Sequence, residues 1–271
     1  TKRKIKTERR CRRWQTFQRR RRLLGFDDVP QAERPRLATQ RTPIALSLRS
    51  IEGWSAPRAL KERLAADGAS LECALSLSFF DCASRRFFGG TWIGRPQTVD
   101  TSKGSTIRSS ELVHWCSRVD DPACVAVIEV VACAKRDGRT VAQYGCGWTY
   151  LRLFGEDTPL SIDAAAEPDG DVLKDGSYER RPLYDGTPRK LVVAAAKLNI
   201  SRQSPKGTGK GRDDDLARAA GADVLKNCSL VCRARRHDGL QRAWHLLGDD
   251  DVVAADDLVP GLAPWSSHGG S

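Results

Sequence analysis

Leu71, Cys73, Leu75, Leu77 and Phe79 alternate with Glu72, Ala74, Ser76 and Ser78. A period of two over nine residues fits an extended strand with one buried face and does not fit a helix. The run ends on Phe79-Phe80-Asp81, and an aromatic stretch resumes from Phe87 to Trp92 around Gly89-Gly90. The segment Leu77 to Trp92 therefore reads as two strands meeting at a corner of a β-sandwich.

The same signal recurs along the chain. Ile44, Leu46 and Leu48 alternate with Ala45, Ser47 and Arg49, a half-buried strand that Gly53 is expected to stop. Ser55 and Pro57 then read as N-cap and early-helix proline of a short helix with Leu60 and Leu64 on one face, capping an end of the sandwich. Val125 to Cys133 is apolar at nearly every position except Glu129, which predicts a strand covered on both faces. Arg136-Asp137-Gly138 supplies a hairpin turn, so Val141 to Phe154 should return alongside it. Within that return Gly145 and Gly147 flank Cys146, where the backbone must bend or pack closely. Tyr184 and Leu191 flank a further turn at Asp185-Gly186-Thr187-Pro188, and Leu225 to Ala234 and Ala243 to Leu247 supply the last strands. Three stretches rich in Gly, Pro, Ser and charge, near 94–109, 156–179 and 201–215, read as disordered loop insertions. Asp213-Asp214-Asp215 opens a short helix to about Val224, its acids at the positive helix end. About eight strands with short turns imply an antiparallel sandwich.

The net charge of +11 is misleading if spread over 271 residues. Residues 1–22 hold twelve Lys/Arg against Glu8, so the other residues, with 33 basic and 33 acidic groups, are neutral. That is a neutral body with a basic arm, and the body makes no electrostatic case for nucleic acid. Trp14, Phe17, Leu23 and Leu24 would let the arm form a basic amphipathic helix on a surface, followed by a linker holding Pro30, Pro35 and Pro43. Nine cysteines form no CxxC pair and mostly fall in apolar runs, which predicts buried, reduced thiols in a reducing compartment. No run approaches the apolar length of a membrane-spanning helix, and the start lacks the apolar core of a secretory signal.

Candidate chemistry is sparse. Ser204 to Arg212, SPKGTGKGR, lacks both the first Gly of a phosphate loop and the Ser/Thr that must follow its Lys, and reads as a flexible loop. Asp81, Asp120-Asp121 and Asp249-Asp250-Asp251 do not reproduce a calcium ligand set and read as turn carboxylates. His114, His237, His245 and His268 are scattered, with no nucleophile, base and oxyanion donor brought together by a motif. We therefore expect no catalytic residue, no cofactor and no metal. The candidate partner-binding residues are Arg85 and Arg86, a basic face beside the aromatic corner with Arg152, and Tyr184 and Arg189, at a turn whose Pro188 fixes the backbone while Arg189 projects toward a partner's carboxylate.

Taken in order, LSFFDCASRRFFGGTW (Leu77 to Trp92), CVAVIEVVA (Cys124 to Ala132), KRDG (Lys135 to Gly138), GCGWTYLRLFG (Gly145 to Gly155), LYDGTPR (Leu183 to Arg189), NCSL (Asn227 to Leu230) and HLL…VPGL (His245 to Leu262) resemble the amino-terminal region of the nephrocystin-4 family. The resemblance runs from about Ile44 to Leu262 and implies an all-β, antiparallel, C2-like sandwich of about eight strands with short helices. Its domain would span 38–262, between a basic arm and linker at 1–37 and a flexible tail at 263–271. The resemblance further implies a non-enzymatic scaffold of the ciliary transition zone and basal body, cytoplasmic, assembling with nephrocystin-1 and the RPGR-interacting-protein family. Members are much longer, so the chain is expected to be a fragment. The alternative is a membrane-peripheral C2 module meeting anionic lipids through basic residues; nucleic acid is not an expected partner.

Overall fold

The computed structural model describes residues 42–99, 105–117, 123–153, 178–198, 213–236 and 253–254. Within them the chain order is β1 (Thr42–Trp54), α1 (Arg58–Asp67), β2 (Ser70–Asp81), β3 (Arg86–Ile93), β4 (Gln97–Thr98), β5 (Ser105–Ser117), β6 (Cys124–Arg136), β7 (Arg139–Arg152), β8 (Glu179–Tyr184), α2 (Lys190–Leu198), α3 (Asp213–Ala219), β9 (Val224–Arg236) and β10 (Val253–Ala254). Every strand pairing is antiparallel. The strands follow one path, β10-β5-β1-β9-β8-β7-β6-β2-β3, with β4 on β2. Eight of them are six residues or longer, the number expected from the alternation.

The path curls on itself until its two ends face each other. Phe79 on β2 meets Trp115 on β5 with ring centroids 5.3 Å apart, although five strands separate β2 from β5 along the path. Ile44, Leu46 and Leu48 of β1, Leu71 to Phe79 of β2, Ala126 to Ala134 of β6 and Leu230 to Ala234 of β9 send alternate side chains into this concave core. The result is the all-β, sandwich-like body expected, made by one curled sheet. β6 lies between β2 and β7 and is buried on both faces, as its apolar run requires: Ala126, Ile128 and Val130 point into the curl, and Val125 and Val127 point outward into a second cluster.

Glycines set the geometry where the two strand faces are exchanged. Asp137 and Gly138 (φ 53 and 71) form the two-residue β6–β7 turn, with the left-handed pair that matches strand twist. The β6–β7 register slips between Glu129 and Val131, opposite Gly145-Cys146-Gly147, and Gly147 sits at φ 135. Because of that bulge Cys146 points into the curl while Trp148, two residues on, points outward.

Several expectations need correction. Gly53 does not stop β1: the strand continues to Trp54, with Gly53 at φ 68 in an irregularity of the β1–β5 register. Ser55 is not an N-cap; Pro57 holds that position, and its carbonyl accepts from the N–H groups of Leu60 and Lys61. Leu60 and Leu64 are both buried, as their spacing predicts. The insertion expected near 94–109 contains β4 and the start of β5. Ser105 to Ser110 is too polar to show a strand period alone, and pairing with β1 makes it one. Glu179, the last residue of the second expected insertion, begins β8. α2, whose sequence KLVVAAAKL carries adjacent valines, was not among the expected helices. α3 begins at Asp213 as expected but ends at Ala219, with Gly221 (φ 59) beyond it in the left-handed conformation. The arm and linker (1–37), Asp120-Asp121, the SPKGTGKGR run, Ala243 to Leu247 and the tail (263–271) lie outside the described residues.

Candidate interaction surface

The convex face of β6, β7 and β8 carries the second cluster, roofed by α2 and α3. Leu191, Ala194 and Ala195 of α2 and Leu216 and Ala217 of α3 pack on Val125, Val127, Phe80, Trp148, Tyr150 and Tyr184. Trp148 stands 5.3 Å from Tyr184, tilted, and 6.2 Å from Tyr150, and the two tyrosines are stacked 6.2 Å apart, making a three-ring group. The two helices are tied at the carbonyl end of α3, where Lys190 Nζ donates to the Gly221 carbonyl (3.3 Å) and Lys197 Nζ to that of Ala219 (3.2 Å), cations at a negative helix end.

The turn after β8 fixes the approach to α2. Asp185 Oδ1 accepts from the Gly186 N–H at 2.8 Å, the Asp185 N–H donates to the Asp223 carbonyl, and the Pro188 carbonyl receives the Leu191 N–H in the first helical turn. Near this turn lies Glu129, 8% exposed on the outward face of β6. Gly145 makes room for it: a Cβ there would lie 2.6 Å from Glu129 Oε1 and 3.3 Å from Thr187 Cγ2. Burial raises the Glu129 carboxyl to about 7, against a smaller opposing pull from the Arg189 guanidinium. In the sequence Glu129 stands out only as the exception in an apolar run, and that exception is its signal.

Beyond this point the sheet opens along a seam. β7 and β8 share a single bridge, Trp148 to Tyr184. Continuing its register would set Tyr150 opposite Pro182 and Arg152 opposite Arg180. Pro182 has no N–H to give to a ladder, and no further bridge follows between the two strands. Between them lies a cleft of about 360 Å³ lined by Thr149, Tyr150, Glu179, Arg180, Arg181, Pro182 and Tyr184. Arg181 pairs with Glu179 at 2.6 Å, and Arg180, largely exposed, pairs with Glu52 across β9.

The expected partner-binding residues do not converge. Arg85 (φ 58) and Arg86 are exposed at the β2–β3 corner, Arg86 opposite Asp81. Asp81 itself is buried and accepts from the Ala83 and Ser84 N–H groups, so it closes that corner as a turn carboxylate. Arg189 is exposed beside α2, as expected. Tyr184, the candidate at the start of that turn, is 4% exposed and belongs to the three-ring group. Its outward register beside Trp148 and Tyr150 buries it under the helices. Phe87, Phe88 and Trp92 are half-buried and pack on the two clusters. Among the described residues no group of three or more His, Cys, Asp and Glu could hold a metal, and no helix is long and apolar enough to cross a membrane.

No family model matches the chain. Individual proteins do. Nephrocystin-4 of Homo sapiens is 31% identical over 205 residues, which is 75% of this chain and 12% of that protein. Nephrocystin-4 of Xenopus laevis is 25% identical over 227 residues, 83% of this chain and 14% of that protein. The chain thus spans a small part of the length of the curated relatives it matches. The order of the strand and turn blocks, the curled antiparallel sheet that they build and an identity above 30% over three quarters of the sequence agree: the chain belongs to the nephrocystin-4 family.

Proposed function

We propose that this chain is a non-enzymatic, C2-like scaffold module of a ciliary protein, working at the cilium base through protein contacts. The observation that carries this reading is the family membership, which covers most of the folded body. The character of the surface supports it. Its distinctive features are exposed arginines, a rigid turn after β8 and a splayed β7–β8 seam. These are the elements of a docking surface, where complementarity does the work. The assembly partners would be nephrocystin-1 and the RPGR-interacting-protein family, with the wider protein linking them.

Co-precipitation from ciliated cells tests the reading. The full-length protein should recover nephrocystin-1, deletion of residues 38–262 should reduce that recovery, and deletion of residues 1–37 should not. Unchanged recovery without 38–262 would remove the scaffold role from this module. Salt-sensitive binding to anionic vesicles in place of protein recovery would favour the peripheral-membrane alternative.

A further inference from the structure

We infer that the notch over Gly145 receives a lysine side chain of a protein partner, carried on an amphipathic helix whose apolar stripe covers the exposed side of α2. This rests on the scaffold reading and names its contact site. The first ground is a buried carboxylate with its acceptor capacity unused. Glu129 is 8% exposed, and no described residue gives it a hydrogen bond or an ion pair; Arg189 acts on it only across space. Its Oε1 lies 2.6 Å from where a Cβ on Gly145 would stand, and Gly145 is exposed, so the missing side chain opens the way in. Thr187, also exposed, borders the same opening, its Cγ2 3.3 Å from that Cβ position. Glu129 and Asp185 both act on the Cys146 thiol, which puts two negative groups around the bulge. A carboxylate held out of water is costly until a cation meets it, and an ammonium would bring the hydrogen bonds it lacks. Among the described residues no third ligand completes a metal site, which favours a side-chain cation. Lysine fits a narrow entry, a compact charge on a slim stem where arginine is a planar fork.

The second ground is the outer side of α2. That helix buries Leu191, Ala194 and Ala195 and leaves Val192, Val193 and Ala196 exposed, Val193 at 55%. Val192 and Val193 stand three and four places after Arg189, and Ala196 a further turn on, so they form one stripe that begins beside the notch. An apolar stripe on a helix seats a second helix, and the buried charge at its end sets the register. The charged and titratable groups facing Glu129 are Cys146 on β7 and Asp185 and Arg189 on the turn. Its neighbours across the sheet, Ser76 and Trp148, carry no charge, and Lys190 of α2 is held by the Gly221 carbonyl. Glu129 titrates near 7, so it offers a charge to the ammonium above that pH and a neutral acid below it.

The test uses the purified full chain and two labelled peptides of Leu, Ala and Gln, each about twenty residues, long enough to form a helix. Each has one leucine stripe and, a turn ahead of it, lysine in one peptide and acetyllysine in the other. Fluorescence anisotropy at pH 8 should show saturable binding of the lysine peptide, about tenfold or more tighter than the acetyllysine peptide, the scale of one charge-assisted contact. That ratio should shrink toward one at pH 6, and Glu129→Gln should abolish it at pH 8. Val193→Gln, at an exposed position, should weaken both peptides and keep the ratio. Circular dichroism checks that both variants are folded. Equal binding of the two peptides, a ratio that survives Glu129→Gln, no effect of Val193→Gln, or no saturable binding overturns the inference. Recovery of nephrocystin-1 through residues 38–262 tests the scaffold reading separately, and persists if only the notch assignment is wrong.

Discussion

Gly53 is the residue at which the fold has least latitude. A Cβ there would lie 1.8 Å from the Asn227 carbonyl oxygen, and its φ of +68 strains any other residue. Gly53→Ala should therefore destabilise the protein by about 3 kcal/mol or more, combining clash and strain. Gly138→Ala, with a similar φ but nothing within 4 Å, should cost about 1 kcal/mol; urea denaturation of both variants measures the difference. Glu129 adds a pH dependence. Its folded carboxyl titrates near 7 against 4.5 in the unfolded chain, so the folded state binds the extra proton between those values. Stability should fall as pH rises from about 4.5 to about 7 and level off above. Glu129→Gln should flatten that slope and leave the variant the more stable protein at pH 8. A slope unchanged in the variant would place the titration elsewhere.

At the scale of elements, the seam is a product of particular residues and should close when they change. Pro182→Val restores an N–H, and Arg180→Thr puts a β-branched residue of high strand propensity beside it. The double variant should zip β7 to β8, gaining about 1 kcal/mol and slowing amide exchange in both strands; unchanged exchange would mean that the splay has another cause. This is also the scale at which sequence and structure part. Asp137-Gly138 is legible because its turn chemistry is local, the alternate positions of β2 because burial of one face enforces their period, and the apolar run of β6 because both its faces are covered. α2 was not, since Val192 and Val193 favour a strand and only its seat on Trp148 and Tyr184 selects the helix. The polar start of β5 is likewise a strand by virtue of β1. Gly145 and Gly147 were read as a bend, but that the bend exchanges the two faces, and so buries Tyr184, depends on pairing across β6. Arg85, Arg86 and Arg189 are exposed as read. The seam is not legible in the sequence because it is defined by what two distant strands fail to do.

In the whole molecule, one curled sheet holds a continuous interior and roofs its convex side with two short helices. That architecture buries Cys73, Cys82, Cys124, Cys133, Cys146, Cys228 and Cys232 without a disulfide. Burial pushes the Cys146 and Cys232 thiols up to about 12 and that of Cys228 to about 11, so they should resist thiol reagents at pH 8 in the folded state and react together on unfolding. Fast reaction of these thiols in native protein would contradict the packing described. The central claim is that this folded body serves a nephrocystin-4-type scaffold at the cilium base, and the direct measurement is localisation of the tagged full-length protein in ciliated cells, wild type beside Gly53→Val. The account predicts a discrete band at the cilium base for the wild type and its loss when the fold is broken. A diffuse or nuclear wild-type signal, or a band that survives Gly53→Val, would contradict it.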